Sequence, residues 1–143
     1  MAAYLDTSVL VATFFHERGS AVAHDRARDE SQLALSRWTL AEFASAAAFK
    51  IRRGDTTEAV AREAARRLTK LVDDGALVLI ELESSDFTRC AQLCAAHASG
   101  LRTPDALHAA IAARARLTLL TFDAAQAGGC AHHGIEHELI SAV

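Results

Sequence analysis

Five short apolar runs, each separated from the next by a longer stretch of helical period, leave this chain few folds. The runs lie at residues 3–6, 32–36, 77–82, 117–122 and about 135–140. Leu77-Val78-Leu79-Ile80-Glu81-Leu82 is the clearest strand. Leu117 to Phe122 is nearly all apolar, as strands buried on both faces of a parallel sheet are. Strands alternating with helices predict an α/β chain, a three-layer α/β/α sandwich around a mainly parallel sheet. At 143 residues, one domain over 1–143 with its own core is expected.

The helical stretches carry their own punctuation. Residues 8–15 and about 19–29 read as two helices. Thr39 is expected to start a third, running to Arg53 before Gly54, with Leu40, Phe43, Ala47 and Ile51 on one face. Asp55-Thr56-Thr57-Glu58 has the shape of a capping box and predicts a long helix to Asp74. Its apolar stripe is Val60, Ala64, Leu68, Leu71 and Val72. Ser84 or Ser85 is expected to cap the next helix, which ends near Gly100. Thr103-Pro104 reads as a capping hydroxyl followed by proline at the first helical position, with the helix ending near Arg116. A short helix and the last strand finish the chain.

Against that order, four carboxylates stand in matching places. Asp6 closes the first apolar run and Asp123 closes the fourth. Asp105 opens a helix, and Glu42 lies in the first turns of another. In a parallel sheet, strand ends and helix starts share one edge, where open α/β sheets bind their ligands. Acids gathered there repel one another; at about 4 Å and an effective dielectric of about 20, each pair costs on the order of 4 kcal/mol. A hard divalent cation, Mg²⁺ or Mn²⁺, would relieve that repulsion. Ser8 and Thr121 each place a hydroxyl two residues from an acid, suited to orienting it. Each acid also has a local role open to it. Asp6 and Asp123 are placed as helix N-caps, Asp105 favours the helix dipole, and Glu42 is three residues after Thr39 as in a capping box.

Net charge is −3, so the molecule as a whole is not a basic nucleic-acid binder. Between Lys50 and Lys70, however, seven basic residues stand against three acids. Lys50, Arg52, Arg53, Arg62 and Arg66 are therefore candidates for RNA or dimer contact, against the alternative of a solvated face with pairs such as Glu63 and Arg67. The longest apolar run is far short of a membrane span, and the start of the sequence lacks a basic-then-apolar signal pattern; a soluble cytoplasmic protein without membrane contact is expected. The odd count of cysteines (Cys90, Cys94 and Cys130) argues against a disulfide framework, and they are read as small buried residues. His108 is read as a packed or solvated histidine, and His132, His133 and His137 as an exposed loop and edge strand. Trp38 is read as an anchor for the start of its helix. Gly128-Gly129 lacks the context of a phosphate loop, and no Gly-x-Ser-x-Gly elbow occurs.

Four pieces of this sequence, taken in order, resemble the PIN-domain ribonucleases, especially the VapC-like toxins of bacterial toxin–antitoxin pairs. They are Tyr4-Leu5-Asp6-Thr7-Ser8, Leu40-Ala41-Glu42-Phe43, Thr103-Pro104-Asp105-Ala106-Leu107-His108-Ala109-Ala110 and Leu120-Thr121-Phe122-Asp123. The resemblance implies a metal-dependent endoribonuclease that cleaves structured RNA, with Asp6, Glu42, Asp105 and Asp123 as its acids. It also implies dimers and inhibition by a small antitoxin protein. Ala124 follows Asp123, so a fifth acid is absent there. Two other readings compete. A receiver-type phosphotransfer domain would also hold Mg²⁺ at strand ends, but it needs paired acids after the first strand and a lysine near the last, and no lysine follows Lys70. A non-catalytic RNA-binding or assembly module on the same fold would need a broken acid set.

Overall fold

In the computed structural model, which describes residues 2–142, the five apolar runs form one all-parallel sheet. The strands are β1 (Ala2–Leu5), β2 (Gln32–Ser36), β3 (Leu77–Ile80), β4 (Thr118–Thr121) and β5 (His137–Leu139). Their spatial order is β3-β2-β1-β4-β5. The chain therefore builds outward from β1 on one side, then crosses to the other side and builds outward again. The strand order reverses between β1 and β4, and that is where the crevice of an open parallel sheet lies. Tyr4 pairs with Leu119 and Leu5 with Leu120 across that junction.

Alternation along the strands divides the core in two. Ala3, Leu5, Leu35 and Leu120 face one layer, with α1 (Thr7–Phe14), α2 (Ser20–Arg28), α3 (Arg37–Arg53) and α4 (Glu58–Asp73). Tyr4 and Leu119 face the other, with α5 (Ser84–Ala95), α6 (Thr103–Ala115) and α7 (Ala124–His132). The period of two thus feeds a helical layer on each face, as expected for the α/β/α sandwich. Helix α6 is buried continuously from Ala106 to Ala112, and its alanines allow close approach to α5 and β4. Gly129 lets α7 approach as closely: a Cβ there would stand 2.3 Å from Leu101 Cγ.

Several helix starts differ from expectation, each for a local reason. Helix α3 begins at Arg37, because Ser36 and Thr39 form the reciprocal capping box: Thr39 N donates to Ser36 Oγ at 3.3 Å and Ser36 N to Thr39 Oγ1 at 3.1 Å. Glu42 therefore lies in the second turn and caps nothing. The cap of α4 is Thr57, whose hydroxyl accepts from Val60 N at 3.2 Å, so Asp55 does not open a capping box. Glu83, not Ser84 or Ser85, caps α5, with Asp86 completing the box. Helix α6 begins at Thr103 itself; Arg102 holds the cap position with no side-chain bond. β3 stops at Ile80 rather than Leu82. Gly128 and Gly129 lie within α7, in keeping with the expectation that they form no phosphate loop. No described helix is long and apolar enough to cross a membrane.

Candidate active site

The four acids come from four elements that meet at the carboxyl end of β1 and β4. Asp6 follows β1 and caps α1; Asp123 follows β4 and caps α7. Asp105 sits in the first turn of α6, and Glu42 in the second turn of α3. The local capping roles of Asp6 and Asp123 are real, and each leaves one oxygen over. Asp6 Oδ2 accepts from Ser8 N at 3.0 Å, Ser8 Oγ at 2.5 Å and Thr121 Oγ1 at 3.4 Å. Its Oδ1 accepts from Gln126 Nε2 at 3.3 Å and stands 3.7 Å from His108 Nε2. Asp123 Oδ1 accepts from Ala125 N at 2.8 Å and Gln126 N at 3.2 Å.

Ser8 and Thr121 both donate to Asp6, Thr121 to that acid rather than to the Asp123 carboxylate two residues on, and they also latch the two strand ends together. Ser8 Oγ accepts from Phe122 N at 3.2 Å, and Thr121 Oγ1 accepts from Asp123 N at 2.9 Å. These bonds fix Asp6 and Asp123 relative to each other across the β1–β4 junction.

Among the described residues, no lysine or arginine pairs with any of the four acids; the only cationic candidate is His108. The electrostatic cost falls on Asp105. Burial, then the charges of Asp123 and Asp6 and more weakly Glu42, push its carboxyl up to about 6, with His108 opposing them. For Glu42 burial works upward, but hydrogen bonds from His108 and Thr7 outweigh it and the carboxyl lies below its ordinary value. Cys130, read correctly as buried, lies near enough for Asp105 and Asp6 to add to the effect of burial, and its thiol is pushed up to about 11.

Two site residues escaped sequence reasoning. His108 is packed, as one of its expected readings has it, at 1% exposure, but its bond to Glu42 is not foreseen there. Gln126 is fully buried; its Nε2 ties Asp6 Oδ1 to the Asp105 carbonyl at 3.3 Å each, while its Oε1 has no partner. Its spacing of three from the Asp123 cap, on the same face of α7, was the available signal.

The donors suit a hard cation rather than a soft one. They are carboxylate oxygens with an orphaned buried amide oxygen among them. Among the described residues, no three or more acid, histidine or cysteine side chains stand close enough together to hold a metal ion between them as they are placed, so a closed shell of the structural zinc kind is not formed. Mg²⁺ needs no such shell: one or two carboxylates suffice, with waters and substrate oxygens filling the rest.

The basic stretch divides. Lys50 is occupied, bonded to Glu17 at 2.7 Å and set over the Phe15 ring. Arg53 stacks on Phe49 and pairs with Asp55 at 3.5 Å. Arg66, rather than Arg67, pairs with Glu63. Arg67 instead reaches the Phe14 carbonyl and ring. Arg52 and Arg62 are exposed. Trp38 bridges α3 to the start of α6, donating to the Pro104 carbonyl at 3.3 Å. His132 and His133 pack edge to face at the end of α7, and His137 lies in β5.

The sequence model of the PIN domain family matches residues 3–128. No curated protein matches the chain by sequence. Among solved structures, VapBC2 from Rickettsia felis, bound to a DNA fragment of its promoter, is similar over 99% of this chain and 100% of that one, with a TM-score of 0.69 at 16% identity. VapC20 of Mycobacterium tuberculosis, a sarcin–ricin loop cleaving toxin, covers 94% and 96% with a TM-score of 0.69 at 16% identity. FitAcB from Neisseria gonorrhoeae covers 96% of each with a TM-score of 0.66 at 17% identity. At these identities the likeness is one of fold.

Proposed function

The chain belongs to the PIN-domain family, and from that premise we propose that it is a metal-dependent endoribonuclease that cleaves structured RNA, the toxin of a toxin–antitoxin pair. The observation that carries the proposal is the gathering of Asp6, Glu42, Asp105 and Asp123 at the strand-order reversal with no lysine or arginine among the described residues paired to them. Acids crowded together with one histidine as their cationic candidate are the kind of local cost that proteins carry at functional sites. An intact acid set also favours an enzyme over a module that only binds RNA.

In this reading Asp6, Asp105, Asp123 and Glu42 hold Mg²⁺ or Mn²⁺, while Ser8, Thr121 and Gln126 orient Asp6. Such an ion, when bound, polarises a phosphodiester and acidifies water. Toxin–antitoxin complexes among the similar structures support a small antitoxin as partner. A homodimer and a cytoplasmic location complete the proposal.

Metal binding is tested by melting. Asp105 is pushed up to about 6 against 3.8 for a free carboxyl, so the cost of burying its charge beside the other acids is absent below about pH 4 and fully present above pH 6. In EDTA at pH 7.5, Asp105→Asn is expected to raise Tm by about 2–4 °C, the shift that roughly 1 kcal/mol produces near this chain length. That gain should vanish near pH 4. Millimolar Mg²⁺ or Mn²⁺ should raise the wild-type Tm by several degrees and the variant's much less. A variant that melts lower at pH 7.5, or equal metal shifts in both proteins, would mean that Asp105 serves only its helix.

For RNA contact, Arg62→Ala with Arg66→Ala is expected to weaken binding and to flatten its salt dependence by about 0.7–0.9 in log–log slope per charge removed. An unchanged slope would leave these residues as solvated surface; a shift to monomer would place them in the dimer interface.

A further inference from the structure

Tyr4 lies in the apolar layer beneath α6, fully buried, where phenylalanine would fill nearly the same volume. Its hydroxyl nevertheless joins three polar groups from three other elements. It lies 2.7 Å from Ser36 Oγ, 3.1 Å from Thr39 Oγ1 and 2.8 Å from His108 Nδ1. The other nitrogen of His108 faces the acids: Nε2 bonds Glu42 Oε1, lies 3.2 Å from Thr7 Oγ1 and is 3.7 Å from Asp6 Oδ1. Thr7 Oγ1 donates to the same Glu42 oxygen at 2.6 Å.

The donors along this path can be ordered. Glu42 only accepts, so His108 Nε2 carries the hydrogen that faces it. In the neutral ring Nδ1 is then an acceptor, and the Tyr4 hydroxyl is its donor. Burial holds the phenol protonated, well above its ordinary range. The Tyr4 oxygen in turn accepts from the hydroxyls of the α3 cap. A chain of bonds thus runs from the cap of α3, through β1 and α6, back to the second turn of α3. It commits Glu42 Oε1 to His108 and Thr7 and leaves Oε2 as its other oxygen.

We propose that Tyr4 and His108 are positioning residues that act on Glu42, with Tyr4 fixing the tautomer and ring of His108 and His108 fixing the Glu42 carboxylate at the edge of the acidic crevice. The arrangement parallels the partners that orient ligands from behind a metal site, whose loss typically weakens metal binding or activity 10–100-fold. The proposal rests on the nuclease reading, and its test separates the two.

The experiment measures Mn²⁺ affinity, from the metal-dependent rise in Tm without RNA, together with kcat and KM for RNA cleavage. The variants are Tyr4→Phe, His108→Gln and His108→Leu, with Tyr4→Phe repeated in a Glu42→Ala background. Tyr4→Phe is expected to weaken Mn²⁺ binding and lower kcat by about 10-fold, with KM for RNA unchanged. His108→Gln, whose amide nitrogen can replace Nε2, should retain most of the affinity that His108→Leu loses. In the Glu42→Ala background, Tyr4→Phe should change neither quantity further. If Tyr4→Phe lowers Tm but leaves Mn²⁺ affinity and kcat intact, the hydroxyl only satisfies buried groups and the proposal falls while the nuclease reading stands. An undiminished effect of Tyr4→Phe in the Glu42→Ala background also overturns it. A wild-type protein with neither metal-dependent shift nor cleavage overturns both readings together.

Discussion

Asp6→Asn is expected to lower kcat/KM for RNA cleavage by at least about 10³-fold, equivalent to roughly 4 kcal/mol of transition-state stabilisation, and to leave the fold in place. Asparagine caps a helix as well as aspartate does, so the bond from Ser8 N survives the change. What disappears is the charge at the centre of the cluster, the group that Ser8, Thr121 and Gln126 all converge on. No neighbour replaces it, since those three partners are neutral. The variant should melt within a few degrees of wild type. Near-normal cleavage, in protein free of contaminating nuclease, would remove Asp6 from the chemistry.

The largest loss of stability is expected from a residue outside the crevice. Asp86 is 1% exposed, and its carboxylate accepts from Arg114 Nε at 2.7 Å, Arg114 Nη2 at 3.0 Å and Glu83 N at 2.8 Å. Arg114 also reaches the Glu81 carbonyl at 2.8 Å, so one side chain clamps α6 to the start of α5. Arg114→Leu strands a buried charge, which typically costs about 3–5 kcal/mol, and should lower Tm by roughly 6–20 °C in a chain near this length. Asp86→Asn in the same background should recover much of the loss, because the stranded charge is then gone. A fall of only 1–2 °C, or no recovery, would show the pair to be ordinary surface electrostatics. Because α6 carries both Asp105 and His108, the clamp also bears on the acidic crevice.

Much of this architecture was legible in residue order because the signals are local. Leu117 to Phe122 reads as an interior parallel strand from its composition alone, and β4 lies inside the sheet between β1 and β5. Asp6 and Asp123 read as strand-end acids because a parallel α/β chain puts every such end on one edge. The helix starts were less legible. Ser36, Glu83 and Arg102 took the cap positions in place of Thr39, Ser84 or Ser85, and Thr103. The first two shifts depend on where the preceding strand lets go, and tertiary pairing decides that; the third follows a short turn at His97–Ser99. His108 and Gln126 were the least legible. Nothing within three residues of His108 announces that α6 will lay it beside α3, 66 positions away in sequence. Gln126 matters only once α7 lays it beside Asp6, 120 positions away in sequence. A buried polar group has a visible purpose only once its partners are assembled.

The central claim is that these four acids form a cation-dependent active site for RNA. It is tested most directly by cleavage of a folded RNA by the wild-type protein in Mg²⁺ or Mn²⁺, after EDTA, and after the metal is restored, with Asp6→Asn purified in parallel. Cleavage at defined positions that stops in EDTA, returns with the metal and is missing from the Asp6→Asn preparation is the predicted result. Cleavage that persists in EDTA, or that the variant performs equally well, would contradict it.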